Sequence, residues 1–115
     1  MDKAYYLSTC DTCRKILASL PKNNLELHDI KANPLTEKEV DVLATMAGSY
    51  EALFSRRAER YKSYGLKDLQ LTEADYKKYL IDHYTFLSRP VFVIGGKIYV
   101  GNGKANVANV IAALS

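Results

Sequence analysis

A chain of 115 residues, 48% hydrophobic and 25% charged, has the size and composition of one globular domain, placed here at residues 1–115. Its net charge of +3 is mild. The densest basic run, Arg56-Arg57-Ala58-Glu59-Arg60-Tyr61-Lys62, reads as a solvated helix face with at most a local anion contact. It is not the clustered basic footprint of a direct nucleic-acid binder. No apolar run approaches the ~20 residues of a membrane span. The N-terminal residues lack the apolar core of a secretory signal, so the expected compartment is the cytoplasm, with no membrane partner.

In chain order, Ala4-Tyr5-Tyr6-Leu7 is short, apolar and aromatic, and predicts a buried strand. Ser8 to Thr12 is a turn rich in cap-forming residues. Apolar residues at Cys13, Ile16, Leu17 and Leu20 then follow helical spacing, and Pro21 stops the helix. Leu25 to Ile30 alternates apolar and polar, which predicts a strand with one covered face. Strand, helix and strand within about 30 residues imply parallel pairing through a right-handed crossover.

Residues 34–84 read as a helical insertion. Thr36 and Glu39 have the spacing of a capping box, Val40, Leu43, Ala44 and Ala47 form an apolar stripe, and Gly48 is a stop. Short helices are expected at Tyr50–Phe54 and Arg56–Tyr64. Thr72 opens another, with Tyr76, Tyr79, Leu80 and His83 on one packing stripe. Beyond it, Val91 to Ile94 predicts a strand buried on both faces. Gly95-Gly96 is a hairpin turn, Lys97 to Val100 the partner strand, and Ala105 to Leu114 a final helix with Val107, Val110, Ile111 and Leu114 inward. The order βαβ, helical insert, ββα is that of an α/β, thioredoxin-like fold with a mixed four-stranded sheet.

The chemistry centres on Cys10-Asp11-Thr12-Cys13, which holds the only two cysteines of the chain. A bridge between residues three apart closes almost no loop, so it adds little stability. Zinc would need two more ligands, and His28 and His83 lie far apart in sequence without paired spacing. The motif instead stands where a first helix begins after a first strand, the context of a thiol redox pair. Backbone N–H groups and the helix dipole favour an anion at Cys10, and Arg14 lies one turn along. Only the thiolate is nucleophilic. Cys10 is therefore the candidate nucleophile, and Cys13, one turn away, the candidate resolving thiol. Arg89-Pro90 directly precedes a buried strand. A trans proline there would merely open the strand. A cis bond would bring Arg89 beside the helix start, where its bidentate fork suits a thiolate and an oxyanion.

The early Cys-x-x-Cys-Arg, the helical middle, Leu87-Ser88-Arg89-Pro90-Val91-Phe92-Val93, and the Val100-Gly101 turn before a final helix resemble the arsenate reductase (ArsC) family, including its Spx-type branch. The resemblance implies a thioredoxin-like domain with no bound cofactor. It implies a thiol-dependent reductase in which Cys10 attacks an oxyanion or a glutathione mixed disulfide. Glutathione would be a cosubstrate, and glutaredoxin or thioredoxin a partner. Three arginines surround the anion in the family's reductases. Arg89 matches one, and Arg56 stands next to Ser55, where the second falls. No arginine occupies Tyr99-Val100-Gly101, where the third would lie. Cys13 stands where those reductases resemble Cys-x-x-Ser. The Spx-type branch implies an alternative, a redox-switched regulator that binds the α subunit of RNA polymerase. Its members usually extend past the position of Ser115.

Overall fold

Among the described residues, four strands and five helices follow in chain order: β1 (Lys3–Tyr6), α1 (Asp11–Ser19), β2 (Glu26–Asp29), α2 (Glu37–Ala47), α3 (Glu59–Ser63), α4 (Glu73–Asp82), β3 (Val91–Ile94), β4 (Lys97–Val100) and α5 (Lys104–Leu114). Single-turn helices lie at Glu51–Leu53, Leu66–Asp68 and Tyr84–Phe86. The computed structural model describes residues 2–115, with the backbone alone at Glu59. The chain divides into two units: residues up to Asn33 with Arg89–Ser115, and Pro34–Ser88.

The first unit is built on one mixed sheet of order β2-β1-β3-β4. β1 and β2 run parallel, with Tyr6 opposite Asp29, while β3 runs antiparallel to β1, with Val91 opposite Tyr5. A parallel pair needs a crossover, and α1 supplies it. β3 and β4 form a hairpin through Gly95 (φ 58°) and Gly96 (φ 78°). A two-residue turn with both φ positive matches the twist of its strands, and glycine enters that region without a Cβ clash. Ala4, Phe92, Ile94 and Val110 form the buried core of this unit, with Ile16, Leu17, Leu20, Leu25, Tyr99 and Leu114 packed against it.

One sequence expectation needs correction here. β2 is an edge strand and Leu27 is 55% exposed, so the covered face expected there is incomplete. On α5 only Val110 is fully buried. Val107, Ile111 and Leu114 are half-buried, as befits a helix covering one face of a small sheet.

The second unit is helical. Thr36 accepts from the Glu39 N–H at 3.2 Å, and the Glu39 carboxylate accepts from the Thr36 N–H at 3.0 Å, so the capping box is complete. Gly48 closes α2 in the left-handed region (φ 99°). Thr72 and Asp75 repeat the reciprocal cap on α4. Thr36→Ala is expected to lower stability by about 1 kcal/mol, read as a shifted urea midpoint at unchanged slope. The interior is aromatic: Phe54 stacks on Phe86 at 5.3 Å and meets Tyr76 edge-on at 4.9 Å.

α3 is shorter than the Arg56–Tyr64 expected, because Arg56 and Arg57 lie in the turn ahead of it. The stripe on α4 also ends early. Tyr76 and Leu80 are buried and Tyr79 is half-buried, but His83 leaves the helix in an extended conformation. There its Nδ1 accepts from the Thr85 N–H at 3.2 Å.

Candidate active site

The site is made by the chain leaving β1. Leu7 to Cys10 form a tight turn in which the Cys10 N–H donates to the Leu7 carbonyl at 3.0 Å. Cys10 is extended (φ −96°, ψ 113°) and is the N-cap of α1; its carbonyl accepts the first helical bond, from the Arg14 N–H at 3.1 Å. As a neutral thiol it gives the helix no side-chain cap. A thiolate is a far better acceptor, and Cys13, three residues on, presents both its backbone N–H and its thiol to the Cys10 sulfur.

Cys10 and Cys13 are both free thiols in unequal settings. Cys10 is partly exposed and Cys13 is wholly buried. Partial burial works against ionisation of Cys10. It is outweighed by the Cys13 N–H and thiol together with the charge and hydrogen bond of Arg89, so the Cys10 pKa falls below the ordinary cysteine value. For Cys13, burial dominates, and the neighbouring Cys10 adds to it. A hydrogen bond from the Leu7 N–H offsets them only in part, and the pKa is pushed up to about 11. Cys10 is therefore the first of the pair to ionise, and the remaining proton stays on Cys13, which then donates to the Cys10 sulfur.

Arg89 arrives from another strand. The antiparallel register pairs Tyr5, two residues before Leu7, with Val91, two residues after Arg89, so the chain ahead of β3 runs beside the chain leaving β1. The Arg89-Pro90 peptide bond is cis. Pro90 is fully buried, and its carbonyl accepts from the Gly101 N–H at 2.9 Å. The Arg89 Nε is buried while its charge acts on both sulfurs.

The other expected site residues have different partners. Arg14 is exposed and pairs with Asp11, one turn back on the same helix, so its charge goes to a carboxylate. Arg56 belongs to the helical unit. Its guanidinium donates to the Glu51 carboxylate at 2.6 Å and the Tyr76 hydroxyl at 2.9 Å. Among the described residues no group of three or more His, Cys, Asp or Glu is placed to hold a metal ion, and no helix is long and apolar enough to cross a membrane.

The ArsC family profile matches residues 5–110, which takes in the cysteine turn, Arg89 and the first part of the final helix. The chain belongs to the ArsC family. It is 25% identical over 92 residues to the arsenate reductase of Escherichia coli, a match that covers 77% of this chain and 65% of that enzyme. This ArsC-family chain thus matches less than two thirds of the length of that relative. Among solved structures, the YffB protein superposes with a TM-score of 0.81 at 22% identity over the whole of both chains. The arsenate reductase from Vibrio cholerae does so with 0.74 at 23% identity, covering 95% of this chain and 96% of that one. At such identities the superpositions show the fold, and it is thioredoxin-like.

Proposed function

We propose that this ArsC-family chain is a thiol-disulfide oxidoreductase in which Cys10 is the nucleophile and Cys13 the resolving thiol. The observation that carries this reading is the split between the two sulfurs: one partly exposed with a lowered pKa, the other buried with its pKa pushed up to about 11. A thiolate that ionises early attacks first, and a protonated neighbour is held back until a bond to Cys10 has formed.

With a glutathione mixed disulfide, the Cys10 thiolate attacks the glutathione sulfur and expels the substrate thiolate, which takes up a proton. Cys13, losing its proton, then attacks the Cys10 sulfur. The Cys10–Cys13 disulfide forms and glutathione leaves as its thiolate. With arsenate, Cys10 bonds to arsenic as one oxygen leaves as water. Closure of the disulfide then moves two electrons to arsenic and releases arsenite. In either case an external thiol (glutathione, or a glutaredoxin- or thioredoxin-type dithiol) returns two electrons to the protein. Arg89 carries the anion-binding role, as a planar fork beside the attacking sulfur. Arg14 reaches an oxyanion only by leaving Asp11.

The test is glutathione-driven turnover, compared on arsenate and on a glutathionylated peptide. Thiol-dependent turnover of either supports the reading, and turnover of neither contradicts it. Without added glutathione, Cys13→Ser is expected to stop the cycle halfway. After a glutathionylated substrate, intact-protein mass should then show one glutathione retained on Cys10, whereas the unaltered protein shows an internal disulfide and none.

The pH dependence follows from the same split. Because the folded pKa of Cys10 lies below the ordinary thiol value, its alkylation by iodoacetamide should already be past its half-maximum at pH 8.5, about where a free cysteine is half ionised. Cys13 should stay unmodified there.

The second cysteine is also the observation that favours the alternative, a redox-switched partner of the RNA polymerase α subunit. That reading predicts capture of the polymerase by one oxidation state of the pair. Equal capture, or none, in both states contradicts it.

A further inference from the structure

The turn that delivers Cys10 is tied to the neighbouring strand by one side chain. Asp29 is the last residue of β2 and sits opposite Tyr6, the last residue of β1. Its Oδ1 accepts from the Ser8 N–H at 3.3 Å and from the Lys31 N–H at 3.1 Å, and the Ser8 hydroxyl bonds the same carboxylate. Ser8 is the second residue of the Leu7–Cys10 turn. In such a turn the N–H of that residue has no partner inside the turn itself. The two residues flanking it are those that matter chemically. The Leu7 N–H donates to the Cys13 sulfur, and the Cys10 N–H closes the turn onto the Leu7 carbonyl. The turn therefore sets both sulfurs, and Asp29 holds the turn.

We propose that Asp29 is a positioning residue for the thiol pair, acting through Ser8 to fix the Leu7–Cys10 turn against the end of β2. It touches neither sulfur in this role. The inference rests on Cys10 being the reactive thiolate. Ser8 contributes two donors to the same carboxylate, which a lone backbone contact would not provide, and the lowered pKa of Asp29 has the Ser8 hydroxyl as its largest cause. The Asp29 carboxylate is thus ionised, and an acceptor, across the range in which Cys10 works.

The test follows Cys10 alkylation by iodoacetamide across pH in the full chain. Asp29→Ala leaves the turn untethered, which weakens the hold on the thiolate. The profile should move to higher pH by about half a unit to one unit, so the rate below the midpoint falls about three- to tenfold. Asp29→Asn retains an Oδ1 acceptor and should return the profile to within about twofold of the unaltered rate. Ser8→Ala keeps the N–H bond and loses the hydroxyl bond, and should shift the profile the same way by less. In the Asp29→Ala background it should add nothing.

An Asp29→Ala protein that folds, loses thermal stability and keeps the original profile overturns the proposal, because a purely structural residue behaves that way. An Asn variant as impaired as Ala overturns it too. Should Asp29→Ala not fold, an unchanged Ser8→Ala profile overturns it instead. If the unaltered protein itself titrates at or above the ordinary cysteine value, the reading of Cys10 fails first. A low unaltered pKa with insensitive variants removes Asp29 alone.

Discussion

Cys10→Ser is expected to abolish thiol-dependent turnover, a loss on the order of 10³-fold or more. Serine is nearly isosteric and keeps the extended N-cap conformation, so helix α1 and the sheet should survive. Serine is also a good cap, able to accept from the Cys13 N–H, and stability should hold or rise slightly. What disappears is an anion near neutral pH: a hydroxyl at the same place stays protonated and cannot form the mixed disulfide. Turnover measured beside a thermal melt separates the two effects. Retained activity in a folded Cys10→Ser protein would remove Cys10 from the mechanism.

Arg89→Ala carries the second large effect. Arg89 lowers the Cys10 pKa by charge and by a hydrogen bond. A charge-assisted hydrogen bond is worth about 1.5–3 kcal/mol, and one pKa unit corresponds to about 1.4 kcal/mol. Both side chains are only half-buried, so solvent screens part of this and the lower end applies. The Cys10 pKa should rise by about one unit, which lowers the thiolate fraction below the midpoint about tenfold. Arg89→Lys should fall between, since it keeps the charge and loses the planar fork. Thiolate absorbance followed against pH reads the shift directly. An unchanged titration in Arg89→Ala would mean that the Cys13 N–H and thiol set the pKa by themselves.

Much of this was legible because the decisive signals are local. Thr36 with Glu39 and Thr72 with Asp75 are short-range hydrogen-bonding patterns, and each opens a helix. Gly95-Gly96 requires two positive φ values and marks its hairpin for that reason. The position of Cys10 at a helix start followed from a short apolar strand, a run of cap-forming residues and an apolar helical stripe.

Side-chain destinations were harder to read. Sequence places Arg14 within reach of the thiol, yet Asp11 three residues earlier is a helical neighbour, and that spacing is the signal for their pairing. Arg56 stands close in sequence to an expected anion contact, while its partners, Glu51 and Tyr76, come from elements whose approach depends on how the helical unit packs. The Arg89-Pro90 isomer had no sequence signature, because cis is a minority state that tertiary context selects. Asp29 has no local signature because its partner is Ser8, which parallel pairing of β1 and β2 brings beside it from 21 residues away. An Asx residue closing a strand beside a Ser-Thr turn was the available hint.

The most direct test of the thiol pair combines one titration with one mass measurement on the unaltered protein. Thiolate absorbance against pH should give a Cys10 pKa below that of an ordinary cysteine, with no second thiolate until the pH nears 11. Mild oxidation should then yield a mass two hydrogens lower, with a peptide map joining Cys10 to Cys13. A Cys10 pKa at or above the ordinary value, with no Cys10–Cys13 disulfide, would contradict the assignment of a working thiol pair.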